Sequence, residues 1–192
     1  MLCYNLKMTA LQKPKMSSRD FLDWASRQPK GRYELIDGEI VATAPERARH
    51  FIVKGNVFSA LRQAIAGARL PCMVFTDGAS VVINDKTTYE PDATVQCDVT
   101  VDLDSMVAEK PMIVVEVTSP SSEVRDTSIK LADYFTLPSI AHVLIVDPEN
   151  KIVIQHSRGT GSDLLTRIMR DGEIVLEPPG IAVPVASFFL DI

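Results

Sequence analysis

The fold is decided by residues 112–118, Met112-Ile113-Val114-Val115-Glu116-Val117-Thr118. The run is almost wholly apolar and rich in β-branched residues, which predicts a central strand buried on both faces. Glu116 is the exception, because a buried carboxylate costs several kcal/mol unless it is paired or binds a metal. The run therefore predicts a central sheet that carries a compensated carboxylate.

The segments around this strand predict an α/β domain. Apolar residues recur at helical spacing over 46–68 and 123–136, so we expect a helix in each. A shorter helix is expected after Ser17 and Ser18, which are good helix caps. Turn residues separate the remaining apolar segments, which we interpret as strands at 72–76, 79–84, 89–97, 142–146 and 151–156.

The N-terminal region contains a predicted hairpin over 32–43. Asp37-Gly38 supplies the two positive-φ positions that a type I′ turn requires. Residues 1–15 are polar and irregular and are interpreted as a loose arm, which leaves 16–192 as one domain. We expect a mixed central sheet flanked by the two long helices, with the hairpin at its edge.

Composition limits the classes of function. With 192 residues and 46% hydrophobic side chains, the chain can bury the core of one domain. The formal net charge of −5 repels phosphate backbones, so any nucleic-acid binding must be local. No apolar run is typical of a secretory signal or long enough to span a membrane.

The three cysteines, Cys3, Cys72 and Cys97, are odd in number and widely spaced. This pattern argues against a disulfide framework and a structural zinc site, and it favours a reducing cytoplasm. We interpret Cys72 and Cys97 as small buried hydrophobic residues.

A second carboxylate is expected beside Glu116. Asp92 follows Pro91 at a strand segment, and adjacent pairing of the two strands would bring Asp92 and Glu116 together. Two hard oxygen ligands suit Mg²⁺ or Mn²⁺, which also bridge to phosphate oxygens.

The helix predicted after the Glu116 strand adds a cation. Asp126, Lys130 and Tyr134 follow one another at intervals of four residues and so share one helix face, from which Lys130 could reach the carboxylates. Two acidic groups, a lysine and a divalent ion meet the needs of phosphodiester hydrolysis: an activated water, neutralised charge at phosphorus and a fixed orientation.

Together the ordered motifs resemble the Uma family of endonucleases, within the restriction-endonuclease-like superfamily that carries the PD-(D/E)xK motif. The resemblance covers residue 17 to the C-terminus. It rests on Tyr33-Glu34-Leu35-Ile36-Asp37-Gly38-Glu39, Pro91-Asp92, Val114-Val115-Glu116-Val117-Thr118-Ser119-Pro120-Ser121, and the set Asp126, Lys130 and Tyr134.

This resemblance implies a Mg²⁺-dependent endonuclease that hydrolyses DNA, with Mn²⁺ as the alternative ion. Asp92 and Glu116 match the two motif acids, and the carbonyl of Val117 completes the metal shell. Thr118 stands where the superfamily usually has lysine, a role that Lys130 takes over from the helix. Supporting positions around the pocket are Glu34, Glu39, His50, Asp126 and Tyr134.

The resemblance also implies a homodimer, because nucleases of this fold commonly pair to cut both strands of a duplex. Two alternatives to an active enzyme stay open. One is a nuclease-derived binding or regulatory module, which the acidic surface and Thr118 favour. The other is a structural interaction protein, in which Asp92, Glu116 and Lys130 are dispersed or individually paired. In that case Glu116 is a structural glutamate neutralised by a lysine.

Overall fold

The computed structural model describes residues 15–43, 45–97, 100–118, 124–161 and 163–192, without the side chains of residues 124–127. The arm predicted for residues 1–15 lies outside the described residues, except for Lys15. The helices are α1 Ser18–Ala25, α2 Ala48–Ala68 and α3 Val124–Tyr134, and a 3₁₀ turn spans Val185–Phe189. The strands are β1 Tyr33–Ile36, β2 Glu39–Ala42, β3 Cys72–Thr76, β4 Val81–Asn84, β5 Thr87–Tyr89, β6 Ala93–Cys97, β7 Pro111–Val117, β8 His142–Asp147, β9 Ile152–Arg158, β10 Leu164–Met169, β11 Glu173–Leu176 and β12 Ile181–Pro184.

Six strands form the central sheet, in the order β10-β9-β8-β7-β6-β3. Strand β7 occupies an interior position and pairs parallel to β8 and antiparallel to β6. Ile113, Val114 and Val115 are fully buried, as the apolar run predicts for a strand covered on both faces. The mixed central sheet expected from the sequence is therefore present.

The two long helices cover opposite faces of this sheet. Val53, Val57, Leu61 and Ile65 of α2 share one apolar core with Val115. The neighbouring Val114 belongs to a second core, together with Tyr134 of α3. Successive residues of a strand point to opposite faces, so β7 supplies both cores. Strands β11 and β12 and the 3₁₀ turn complete the core that includes α2.

The N-terminal hairpin forms as predicted, since Asp37 and Gly38 adopt φ values of 51° and 81° between β1 and β2. Its expected place at the edge of the central sheet is wrong. The hairpin belongs to a separate four-stranded sheet, β2-β1-β5-β4. The strands expected at 79–84 and 89–97 also have different boundaries. Strand structure is interrupted at Pro91-Asp92, and of these segments only β6 joins the central sheet.

The interpretation of Cys72 and Cys97 as unlinked hydrophobic residues is wrong. The two residues are directly opposite in the β3–β6 register and form a disulfide with a Cα–Cα distance of 3.9 Å. An odd cysteine count excludes complete pairing but not a single bridge across adjacent strands. The reducing compartment inferred from that count therefore loses its support.

No helix in the described ranges is long and apolar enough to cross a bilayer.

The packing of α2 on the sheet predicts a large cost for Leu61→Ala. Leu61 is fully buried, so truncation removes apolar contacts and leaves a cavity beneath the helix that carries His50. We expect a loss of about 2–5 kcal/mol in the free energy of unfolding, measured by urea denaturation. The matched control is Gln63→Ala on the exposed side of α2, which should change stability by less than about 0.5 kcal/mol. Equal losses of stability in the two variants would contradict the packing of Leu61 against the sheet.

Candidate active site

The strand pairing between β6 and β7 positions the two predicted acids. Ala93 pairs with Val115, and the backbone amide of Asp92 donates to the Val115 carbonyl at 3.0 Å. The Asp92 carboxylate in turn accepts a hydrogen bond of 2.7 Å from the Val117 amide. Asp92 is therefore held against the end of the strand that carries Glu116.

Both acids line a cleft of about 820 Å³. The hairpin, the start of α2, the start of β6, the end of β7, the turn after β8 and α3 meet around it. Its charged or ionisable lining includes Glu34, Glu46, His50, Asp92, Glu116 and Lys130. The cleft therefore lies at one end of the central sheet, with residues of α2 and of α3 in its lining.

Glu116 faces α3. The Tyr134 hydroxyl donates to Glu116 Oε1 at 2.6 Å, and Lys130 Nζ lies 3.6 Å from the same oxygen. Lys130 also binds Glu34 Oε1 at 2.7 Å, and that oxygen accepts a further hydrogen bond from the Glu90 amide. The helix thus supplies the lysine and tyrosine that compensate the buried glutamate.

Burial raises the pKa of Glu116 to about 7, although the Lys130 ammonium opposes the change. The nearby carboxylates of Asp92 and Glu34 raise it further. Burial and the Glu116 carboxylate also raise the pKa of Tyr134 well above its ordinary value. At neutral pH, Glu116 therefore exchanges a proton readily while Tyr134 keeps its own.

Asp92 faces α2. Its Oδ1 atom lies 2.9 Å from Lys54 Nζ and 3.7 Å from Arg32 Nη2. Burial alone would raise the pKa of Asp92, but His50, Lys54 and the Val117 amide outweigh burial and lower it to about 2. The two acids thus differ in protonation: Asp92 is ionised at neutral pH, whereas Glu116 titrates there.

Further charged residues, which the sequence did not single out, surround Asp92. Lys54 binds Asp77 at 2.8 Å and Glu46 at 3.1 Å, while Arg32 binds Glu90 at 2.8 Å and Glu46 at 2.7 Å. Burial would lower the pKa of both cations, but their carboxylate partners raise both above the ordinary values. Among the described side chains, six carboxylates share three permanent cations in this network.

One signal in the sequence could have identified part of this network. Glu46, His50 and Lys54 follow one another at intervals of four residues, the same spacing that drew attention to Asp126, Lys130 and Tyr134. Lys54 also falls on the apolar face of α2 that contains Val53, where a charge needs a partner.

Glu46, His50 and Asp92 form a candidate metal-binding group, with one ligand atom from each lying within 4.8 Å of the others. His50 is buried, and neither of its ring nitrogens has a hydrogen-bond partner among the described residues. His50 Nε2 lies 3.6 Å from Asp92 Oδ2 and 3.8 Å from Glu46 Oε1. A buried imidazole without a partner between two carboxylates suits a bound cation.

The structure brings most of the predicted site residues together. Asp92, Glu116 and Lys130 line the cleft, as do Glu34, His50, Val117 and Thr118, and Tyr134 reaches it through its bond to Glu116. Glu39 lies exposed on β2 and is not among the described residues that line the cleft. The Asp126 side chain lies outside the described part of the chain.

The comparisons with known proteins agree with this architecture. The family described as "Uma2: Putative restriction endonuclease" matches residues 18–186. An uncharacterized protein of Synechocystis sp. is 25% identical over 174 residues, which cover 90% of each chain. The crystal structure of "a putative nuclease belonging to DUF820" from Anabaena variabilis superposes with a TM-score of 0.69 at 14% identity, covering 88% of this chain and 96% of that one. The restriction-endonuclease-like α/β fold expected from the sequence is confirmed.

The raised pKa of Glu116 predicts a pH-dependent effect of Glu116→Gln. Because folding raises this pKa from 4.5 to about 7, the free energy of unfolding falls as pH rises through that interval. Glutamine removes the charge, so the metal-free variant should gain on the order of 2 kcal/mol over wild type between pH 5 and pH 8. Thermal melts in EDTA measure this difference.

The control for this measurement is Glu39→Gln on exposed β2, whose stability difference from wild type should be the same at both pH values. A Glu116→Gln difference that is equally independent of pH would contradict burial of an ionised Glu116 at pH 8.

Proposed function

The chain belongs to the Uma2 family, and from that premise we propose that it is a metal-dependent endonuclease that hydrolyses DNA phosphodiester bonds in the cleft. The observation that carries the proposal is the convergence of Asp92, Glu116 and Lys130 at one end of the central sheet, around more carboxylates than cations. A structural interaction protein would need only paired charges, whereas the carboxylates of the described side chains outnumber the permanent cations beside them.

The residues present fit a divalent cation. Asp92 and Glu116 offer carboxylate oxygens, and His50 offers a buried nitrogen without a hydrogen-bond partner among the described residues. We propose that Asp92, Glu116 and the Val117 carbonyl hold Mg²⁺ or Mn²⁺, with His50 and Glu46 as additional donors. Imidazole suits Mn²⁺ better than it suits Mg²⁺. A bound ion would supply an acidified water and neutralise charge on the phosphate.

The side chains around Glu116 have separate roles in the proposed reaction. Glu116 would bind the ion through its carboxylate, and the positive charge of the ion would favour the ionised form of this acid. The Tyr134 hydroxyl holds Glu116 Oε1 in position. Lys130, already fixed between Glu34 and Glu116, neutralises negative charge that develops on the phosphoryl oxygens.

The start of α2 provides local positive charge for binding DNA. Arg47 and Arg49 are exposed and line the cleft. Helix α2 begins beside these arginines and has no acidic residue in its first turn, so the partial positive charge of the helix N-terminus adds to their charge. This rim offsets the net charge of −5 where a phosphate backbone would approach.

We further propose that the enzyme acts as a homodimer, because cleavage of both strands of a duplex requires two sites.

A second candidate is a nucleic-acid-binding or regulatory module without cleavage. Thr118 lines the cleft at the position where the motif usually has lysine, and its hydroxyl donates to the Val146 carbonyl at 3.3 Å. Asp92, the first motif acid, is ion-paired with Lys54. Both features would suit a site that keeps its shape after losing activity.

Cleavage of supercoiled plasmid with Mg²⁺ or Mn²⁺ tests the proposed function. Asp92→Ala, Glu116→Gln and Lys130→Ala should each lower the rate by about 100-fold or more, because each removes charge stabilisation or water activation. Glu39→Gln, outside the cleft, should cut like wild type. Linear product without a nicked intermediate would support two coupled sites. No cutting by wild type with either metal would favour the binding module.

Binding measurements test the positive rim. Arg47→Ala and Arg49→Ala should each weaken binding to a DNA duplex. Each should also reduce the slope of log affinity against log salt by about 0.9 for every phosphate that the variant no longer neutralises. Fluorescence anisotropy in EDTA separates binding from cleavage. Arg62→Ala, on α2 but outside the cleft, is the matched control. Unchanged slopes in both rim variants would place the DNA elsewhere.

A further inference from the structure

Lys54 is a buried cation at the centre of the proposed metal-binding residues. Its side chain is 8% exposed, and Nζ contacts Asp77 Oδ2 at 2.8 Å, Asp92 Oδ1 at 2.9 Å and Glu46 Oε2 at 3.1 Å. Asp92 and Glu46 belong to the candidate metal-binding group with His50. The ammonium therefore already occupies positions at two of the carboxylates that a metal would use.

We propose that Lys54 is an internal counter-ion that competes with the divalent metal for Asp92 and Glu46, and so sets the metal affinity of the site. This inference rests on the metal dependence proposed above. A dication and an ammonium that share the same carboxylates repel each other strongly where water is largely excluded. Metal binding therefore requires the Lys54 ammonium to withdraw from Asp92.

Asp77 gives the ammonium a place to withdraw to. It lies in the turn after β3, its side chain is 34% exposed, and it is not among the described residues that line the cleft. A lysine side chain has a flexible four-carbon stem, so its ammonium can leave one carboxylate while it keeps another. Movement toward Asp77 would open Asp92 and still leave the charge of Lys54 paired.

Arg32 is less suited to this role. Its guanidinium is fixed by Glu90 at 2.8 Å and Glu46 at 2.7 Å, lies 3.3 Å from Asp77, and approaches Asp92 only to 3.7 Å. A planar guanidinium that is already bound by these carboxylates would lose them if it moved. Lys54, which lies closer to Asp92 than Arg32 does, is therefore the cation that a metal must displace.

Mn²⁺ binding tests the competition without any substrate. Electron paramagnetic resonance titrations measure free Mn²⁺ against wild type, Lys54→Met, Lys54→Arg and Asp77→Asn. Lys54→Met should bind Mn²⁺ roughly tenfold more tightly, because the competing charge is removed. Lys54→Arg, which keeps the charge, should not. Lys86→Met, on an exposed turn, is the charge-matched control and should bind like wild type.

Asp77→Asn tests whether Asp77 accepts the displaced Lys54 ammonium, and it should change Mn²⁺ affinity in the opposite direction to Lys54→Met. Without this partner the ammonium remains on Asp92, so Mn²⁺ should bind several-fold more weakly than to wild type. Asp77 is partly exposed, and its replacement by asparagine keeps the shape of the turn. This variant therefore tests the proposal even if Lys54→Met fails to fold.

Thermal melts provide a second readout. In EDTA, Lys54→Met should melt below wild type because Asp92 and Glu46 lose a buried partner. Saturating Mn²⁺ should raise its melting temperature by more than it raises that of wild type. A structural ion pair alone would give the first effect without the second.

The outcomes separate this inference from the proposed function. If wild type binds Mn²⁺ while Lys54→Met binds it no more tightly, or Asp77→Asn no more weakly, the counter-ion role is overturned and the nuclease proposal stands. If wild type and all the variants fail to bind Mn²⁺ in the same titrations, the metal dependence is overturned, and this inference with it.

Discussion

The hydrogen bond from the Val117 amide to the Asp92 carboxylate is the interaction on which the site depends. It joins the start of β6 to the end of β7, and the parallel pairing of β7 with β8 holds the other side of that strand. His50 and Lys54 keep Asp92 ionised, and the bond from Val117 adds to their effect. Strand pairing thus fixes the position of the acid, while α2 brings Lys54 to Asp92 and α3 brings Lys130 to Glu116.

The site stores unfavourable electrostatic energy that the rest of the fold must offset. Its buried carboxylates outnumber their permanent cations among the described side chains, and Glu116 responds with a pKa near 7. Two apolar cores on opposite faces of β7 supply the compensating stability. Such a local excess of negative charge is typical of sites that are completed by a ligand.

The central strand could be predicted because periodicity and one misplaced charge are visible in a single segment. Strand adjacency and helical spacing allowed Asp92 and Lys130 to lie near Glu116, and the family resemblance favoured Lys130 over an ordinary surface ion pair. The second sheet could not be predicted, because β1 and β5 pair across about fifty residues and no local pattern reports that partner. Arg32 was missed for the same reason, because its role depends on carboxylates that the tertiary fold places around it. Lys54 was missed although its spacing from Glu46 and His50 could have indicated it.

The Cys72–Cys97 disulfide lies on the strand that leads out of the active site. Strand β6 begins beside Asp92 and ends at Cys97, so the bridge to β3 pins the far end of this strand. A slip of one residue in this sheet would turn every side chain of β6 to the opposite face. The cross-link therefore fixes the register of β6 against β3, and with it the position of Asp92. Without the disulfide, only backbone hydrogen bonds and side-chain packing would hold this register.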